Sequence, residues 1–234
     1  MLQDDDAPHG LPRPIRARQA VAMTDLISSV AEHLKSRGAQ KLPSAKAELF
    51  MIRDFLPAET CAELVALIDR DNRPSTIADD QGIAYFRTSK TCDLDPRDAL
   101  AQAIDARIAD ALGIDPRLGE PIQGQKYDVG DEFRDHTDTF EPTGFDYLAH
   151  CGETGQRSWT AMIYLNEPAA GGATRFRRLD KIIPPERGKL VAWANIDRSG
   201  RPNEATLHCG MKVRKGAKYV ITKWYRERPW PERG

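Results

Sequence analysis

The sequence predicts an α+β domain whose core is a double-sheet jelly roll. Helical patterns occur before about residue 121, and short β-like runs separated by Gly, Pro and Asp follow it. Closely spaced strands with turn signals are typical of a jelly roll, whose open end often holds a small-molecule pocket. One core can organise a chain of 234 residues, so we expect a single domain.

Three amphipathic helices are predicted in the N-terminal half. The first begins near Thr24, which can cap it, and ends near Gly38. The second runs from Pro57 to Asp69, and the third covers residues 98–112, where apolar side chains recur every four positions. We expect all of them to serve as scaffold.

The stretch before these helices, residues 1–22, is expected to be a disordered tail. It is rich in Asp, Pro and Arg and contains no apolar signal region. Residues 23–234 would then form the domain, with its β core from about residue 121. Translation could begin at Met1 or at Met23, and the sequence does not decide between them.

The composition gives no sign of a nucleic-acid or membrane partner. The formal net charge is −1, and the chain contains no long apolar run. Four cysteines lack any CxxC spacing, so we expect reduced thiols in a cytoplasmic protein rather than a disulfide framework or a cysteine-rich zinc site. The oligomeric state cannot be inferred from the sequence.

Strand-like runs after residue 121 include 160–165, 189–193 and 219–225, which are rich in β-branched and aromatic residues. The segment around His136 and Asp138 is also expected to be extended, because Gly130 and the acid-rich residues near it disfavour a helix. In a strand, positions 136 and 138 lie on the same face and can share a metal ion.

His136 and Asp138 are therefore candidate metal ligands, with His208 as a candidate third ligand. Two histidines and one carboxylate on one face of a metal leave positions open, as in the non-haem Fe(II) oxygenases. Such an enzyme holds a dicarboxylate co-substrate whose far carboxylate needs a cation, and Lys218 can supply that charge. Taken alone, His136 and Asp138 could also be a His-x-Asp sequence that occurs on the surface by chance and binds no metal.

With these residues in place, the chain resembles the prolyl 4-hydroxylase-like 2-oxoglutarate/Fe(II)-dependent dioxygenases. The resemblance runs from about Phe55 to Trp224. It depends on Tyr127-x-x-Gly130 leading to His136-x-Asp138, Gln156-Arg157 leading to Thr160 and Tyr164-Leu165, Gly171-Gly172-x-Thr174, Pro185-x-x-Gly188, and His208 leading to Lys218 and Lys223-Trp224.

The resemblance implies a double-stranded β-helix with flanking helices and a peptide or protein substrate, with proline as the leading target residue. It implies Fe(II), 2-oxoglutarate and dioxygen, with ascorbate as an optional addition, and conversion of 2-oxoglutarate to succinate. The site residues that it implies are His136, Asp138 and His208 for iron, Lys218, Tyr127 and Thr174 for the co-substrate, and Arg157 and Trp224 near the substrate.

Two departures from the family pattern concern the substrate. Phe133 stands where many members have tyrosine, and Arg226 stands where some have histidine. The same oxygenase chemistry on a non-proline or small-molecule substrate therefore stays open. A catalytically silent metal-binding module and a cupin-like zinc protein also stay open, although zinc would require neither Lys218 nor Tyr127.

Overall fold

The computed structural model describes residues 13–75, 87–144 and 147–231, with side chains described from Asp25 onward. The helices in these ranges are α1 Arg13–Ser36, α2 Ala58–Asp71, α3 Ala99–Leu112 and the short α4 Tyr147–Cys151. The strands are β1 Gln40–Lys41, β2 Leu49–Ile52, β3 Arg73–Pro74, β4 Lys90–Asp93, β5 Gln123–Tyr127, β6 Phe133–His136, β7 Arg157–Tyr164, β8 Ala170–Gly171, β9 Thr174–Phe176, β10 Lys181–Ile183, β11 Leu190–Ala194, β12 His208–Gly210, β13 Val213–Lys215 and β14 Lys218–Arg226.

The predicted second and third helices are confirmed as α2 and α3. Asp98 caps α3 by accepting hydrogen bonds from the amides of Leu100 and Ala101. Gly113 ends the helix in the left-handed region at φ 64°, which a residue without a side chain adopts at little cost.

The first helix begins earlier than the sequence predicts. α1 starts at Arg13, within the stretch expected to be disordered, rather than near Thr24. Ala, Arg and Gln are strong helix formers, and Pro14 stands in the first turn, where no intrahelical amide is lost. Residues 1–12 lie outside the described residues, so the tail remains a prediction there.

The strands form two main antiparallel sheets, and the predicted α+β jelly-roll class is confirmed. The larger sheet has the order β1-β2-β11-β7-β14-β5-β4-β3, and the smaller has the order β10-β9-β12-β6. β13 and β8 form a separate pair. The helices α1, α2 and α3 contribute apolar side chains to a core that includes one face of the larger sheet.

The long strand β14 has a different environment on each of its faces. Tyr219, Ile221 and Tyr225 belong to the core shared with the helices. Lys218, Val220, Thr222 and Trp224 lie on the other face, because side chains alternate along a strand, and they line a cavity between the sheets. No helix in the described ranges is long and apolar enough to cross a membrane.

Candidate metal and co-substrate site

The three candidate metal ligands meet at the smaller sheet. His136 ends β6, His208 opens β12, and the two residues are direct partners in the antiparallel pairing of these strands. Asp138 follows two residues after His136, just beyond the strand end. The nearest ligand atoms of the three side chains all lie within 4.8 Å of one another, which a single ion could bridge.

Hydrogen bonds orient both imidazole rings. The Nδ1 atom of His136 lies 2.7 Å from the Arg134 carbonyl oxygen, and that of His208 lies 2.9 Å from the Thr206 carbonyl oxygen. A carbonyl can only accept, so each Nδ1 donates and each Nε2 keeps a lone pair. This arrangement leaves both Nε2 atoms available as metal ligands.

The carboxylate of Asp138 is oriented by a side chain of the opposite sheet. The Thr160 hydroxyl donates to Oδ2 of Asp138 at 2.6 Å, and the Asn195 amide donates to the Thr160 oxygen at 2.8 Å. Oδ1 lies 3.8 Å from His136 Nε2. The chain from Asn195 through Thr160 therefore fixes one carboxylate oxygen and leaves the other facing the histidines.

The ionisation of these groups fits a divalent metal. Burial and the neighbouring His208 lower the pKa of His136 to about 3, so its ring is neutral, as a ligand must be. Burial alone would raise the pKa of Asp138, but His208 and His136 hold it below its usual range. Imidazole and carboxylate groups form a donor set that suits Fe(II).

Lys218 supplies a buried positive charge in the same cavity. Its side chain is 2% exposed, and within residues 25–75, 87–144 and 147–231 it has no hydrogen-bond or ion-pair partner. Nζ lies 4.8 Å from the ring centre of Tyr127, the residue that pairs with Lys218 across β5 and β14, and 5.5 Å from that of Tyr164. Burial lowers the pKa of Lys218 to about 8.

Tyr127 and Thr174, the other predicted co-substrate residues, also line this cavity. The Tyr164 hydroxyl lies 2.6 Å from the Thr174 hydroxyl and 3.1 Å from the Ile183 carbonyl oxygen. The Tyr164 hydroxyl has one proton to donate. When it donates that proton to Thr174, the Thr174 hydroxyl can donate its own proton into the cavity. The structure thus brings the predicted metal and co-substrate residues to one place.

Of the two predicted substrate residues, only Trp224 lines the cavity. Arg157 lies behind it, with its guanidinium carbon 3.9 Å from the Trp224 ring centre. Arg157 binds Glu120 through two hydrogen bonds, of 2.6 and 2.9 Å. Burial alone would raise the pKa of Glu120, but Arg157 and Arg226 hold it low. The role of Arg157 remains a prediction.

Sequence reasoning missed Arg87, Asn195 and Glu120. Arg87 lines the cavity, with its guanidinium carbon 4.9 Å from the Phe133 ring centre, and the Phe133 ring stacks on His136 at 3.6 Å. Burial lowers the pKa of Arg87. No local pattern marks these residues: Asn195 and Glu120 bind partners that are distant in sequence, and Arg87, which also bonds to Ser89 and Thr91, reaches the cavity only through the fold.

Comparison with known proteins agrees with this geometry. Residues 122–226 match the family model described as the 2OG-Fe(II) oxygenase superfamily. Prolyl 4-hydroxylase subunit alpha-1 of Gallus gallus is 34% identical over 149 residues, which cover 62% of this chain and 28% of that protein. Subunit alpha-3 of Rattus norvegicus is 31% identical over 182 residues, covering 76% and 33%. The chain thus spans 28% and 33% of the length of these two relatives.

Solved structures share the fold. A viral collagen prolyl hydroxylase of Paramecium Bursaria Chlorella virus-1, solved as a 2OG complex, superposes with a TM-score of 0.60 at 23% identity, covering 76% of this chain and 94% of that one. A prolyl-4-hydroxylase of Pseudomonas putida has a TM-score of 0.54 at 20% identity, with 85% and 99% covered.

Proposed function

We infer, from the match of residues 122–226 to the 2OG-Fe(II) oxygenase superfamily and from the prolyl 4-hydroxylase relatives, that this chain carries a prolyl 4-hydroxylase-like oxygenase domain. We propose that it is an Fe(II)- and 2-oxoglutarate-dependent dioxygenase that hydroxylates a peptidyl residue, with proline as the leading candidate, and converts 2-oxoglutarate to succinate. We further propose a cytoplasmic location, supported by four buried cysteines that are free of disulfides within the described residues.

The observation that carries the proposal is the buried cation of Lys218 across the cavity from the three ligands. A charge removed from water without a counter-charge is unfavourable, so its presence calls for an anionic occupant. A dicarboxylate answers this requirement, because one end can bind the metal while the other meets Lys218. Neither a silent module nor a zinc protein needs that charge.

His136, Asp138 and His208 would hold the iron. Bound there, iron supplies the dioxygen chemistry that couples decarboxylation of 2-oxoglutarate to hydroxylation of the substrate. The protein contributes orientation: Thr160 and Asn195 fix Asp138, while Lys218, Tyr127 and Thr174 hold the co-substrate. Phe133, Arg87 and Trp224 form the part of the lining that a substrate would meet, and they limit the access of water.

Proline is favoured because the curated relatives matched over more than half of this chain are prolyl 4-hydroxylases. The second candidate is the same chemistry on another residue or on a small molecule, and Phe133 is the observation that favours it. A phenylalanine offers the substrate no hydroxyl where many family members have tyrosine, so one polar contact differs.

The test is to supply purified protein with Fe(II), 2-oxoglutarate, oxygen and a proline-rich peptide. Succinate and a peptide gain of one oxygen atom are expected, and both should be lost in Asp138→Ala. Succinate without modified proline would favour the second candidate, and mass spectrometry of a treated proteome would then identify the target. No succinate under any condition would refute the oxygenase proposal. Parallel reactions with and without ascorbate test our further proposal that ascorbate supports turnover.

A further inference from the structure

The C-terminal end of β14 is tied to α4 and the turn that follows it, residues 147–156, which we call the latched segment. Arg226 and Arg228 donate to its main-chain carbonyls. Arg226 Nη1 reaches the carbonyls of His150 at 3.1 Å and Gly155 at 2.9 Å, while Arg228 reaches those of Cys151, Gly152 and Glu153 at 3.0, 3.0 and 2.6 Å. Two cations thus add donors to the carbonyls of this segment, of which Cys151 also accepts from the Gly155 amide and His150 from the Thr154 hydroxyl.

The guanidinium of Arg226 also contacts the charged residues behind the cavity. Its Nε lies 2.6 Å from Glu120 Oε1, the oxygen that also binds Arg157. Arg226 and Arg157 are direct partners across β14 and β7, and like charges in that position repel each other. Glu120 and the carbonyls of the latched segment offset this repulsion, so Arg226, at 2% exposure, depends on both.

A second connection leads from the latched segment to the cavity wall. Gln156, its last residue, forms hydrogen bonds with both main-chain groups of Phe140, at 3.0 and 2.8 Å. The guanidinium carbons of Arg157 and Arg226 each lie 5.1 Å from the Phe140 ring centre. Arg157 in turn packs on Trp224, which lines the cavity. A continuous series of contacts therefore joins the latched segment to that tryptophan.

We propose that Arg226 is a positioning residue that holds the latched segment against the Glu120–Arg157 pair and so fixes Trp224 on the substrate side of the cavity. The proposal rests on the proposed function for its substrate, and it concerns one of the two departures from the family pattern that bear on the substrate. Only a guanidinium supplies several donors in one plane with a permanent charge. A histidine cannot reach Glu120 and both carbonyls together.

The test compares wild type with Arg226→His and with a matched control, Arg97→His, whose arginine is exposed. Glutamyl endopeptidase cleavage after the exposed Glu153 measures opening of the segment. Losing charge-assisted hydrogen bonds should accelerate cleavage by about tenfold or more. In Arg226→His the peptide KM should rise by a similar factor, while kcat and the KM for 2-oxoglutarate stay within about twofold of wild type. General loosening of the fold would instead change all three constants.

Arg228→Ala provides a second variant that leaves Glu120 untouched, and it decides the matter if Arg226→His does not fold. It should also accelerate cleavage after Glu153. If both variants are cleaved after Glu153 within about twofold of the wild-type rate, Arg226 and Arg228 do not hold the latched segment in place. If cleavage is faster but the peptide KM is unchanged, the latched segment does not position Trp224. A wild-type protein that modifies no peptide would refute the proposed function instead, and the latch would then be decided on the cleavage rates alone.

Discussion

Replacing Lys218 with methionine should stabilise the ligand-free protein while it weakens 2-oxoglutarate binding. Burial lowers the pKa of Lys218 from 10.5 to about 8. One pKa unit corresponds to about 1.4 kcal/mol, so the charged lysine costs the folded state about 3 kcal/mol at pH 7. Methionine has a similar shape without the charge, and the variant should recover much of this free energy.

The pH dependence of the gain follows from the direction of the pKa change. Because the cation is disfavoured in the folded state, the penalty is complete below pH 8 and disappears as the pH rises to the unfolded value of 10.5. The advantage of Lys218→Met should therefore be about 3 kcal/mol at pH 7 and fall to about half of that or less at pH 9.5. Guanidinium chloride unfolding with a metal chelator and without 2-oxoglutarate measures both values.

The matched control is Lys126→Met, because Lys126 pairs with Asp69 at 2.7 Å and its pKa is raised by that hydrogen bond. The same substitution there should bring no gain in stability.

Loss of a charge-assisted contact should weaken 2-oxoglutarate binding to the Lys218 variant by about ten- to a hundredfold. A Lys218→Met protein no more stable than wild type at pH 7 would refute the view of Lys218 as an uncompensated charge.

Three further substitutions test the site. Asp138→Ala should abolish iron-dependent succinate formation and weaken Fe(II) binding measured by titration; full activity would reject Asp138 as a ligand. Thr160→Val removes the hydroxyl that orients Asp138 and should weaken metal binding by about ten- to a hundredfold, whereas unchanged affinity would make that hydrogen bond irrelevant. Phe133→Tyr should raise kcat/KM for a proline-rich peptide by about fivefold if the missing hydroxyl is a substrate contact, and an unaltered value would exclude this.

The parts of the fold and site that the sequence predicts are those with a local pattern. Four-residue spacing of apolar side chains predicts α3, and the cap at Asp98 sets its start. The two-residue spacing of His136 and Asp138 predicts that they bind the same metal ion. Spacing alone does not identify His208 as the third ligand, and the family resemblance supports that assignment.

What the sequence could not predict depends on contacts between distant segments. Glu120 and Arg157 are 37 residues apart, and neither position has a pattern that indicates their pairing. Arg226 stands at a position that the sequence connects with the substrate, whereas the carbonyls that it binds belong to residues 150 and 155, which are 76 and 71 positions away along the chain. The early start of α1 was missed for a different reason, since a polar, proline-containing segment lacks the apolar spacing by which helices are recognised.

The substrate is harder to infer than the chemistry because different parts of the structure determine them. The candidate metal ligands lie on or beside the smaller sheet and Lys218 lies on the larger, and the ligands are oriented by the Arg134 and Thr206 carbonyls and the Thr160 hydroxyl. The Phe133 ring stacks on His136 at 3.6 Å and lies 4.9 Å from the Arg87 guanidinium carbon, and a tyrosine ring could make both contacts. Replacing Phe133 with tyrosine therefore keeps a ring that can make both contacts and adds a hydroxyl to a residue of the cavity lining. We therefore expect a change at this position to alter substrate use more than the proposed binding of iron or 2-oxoglutarate.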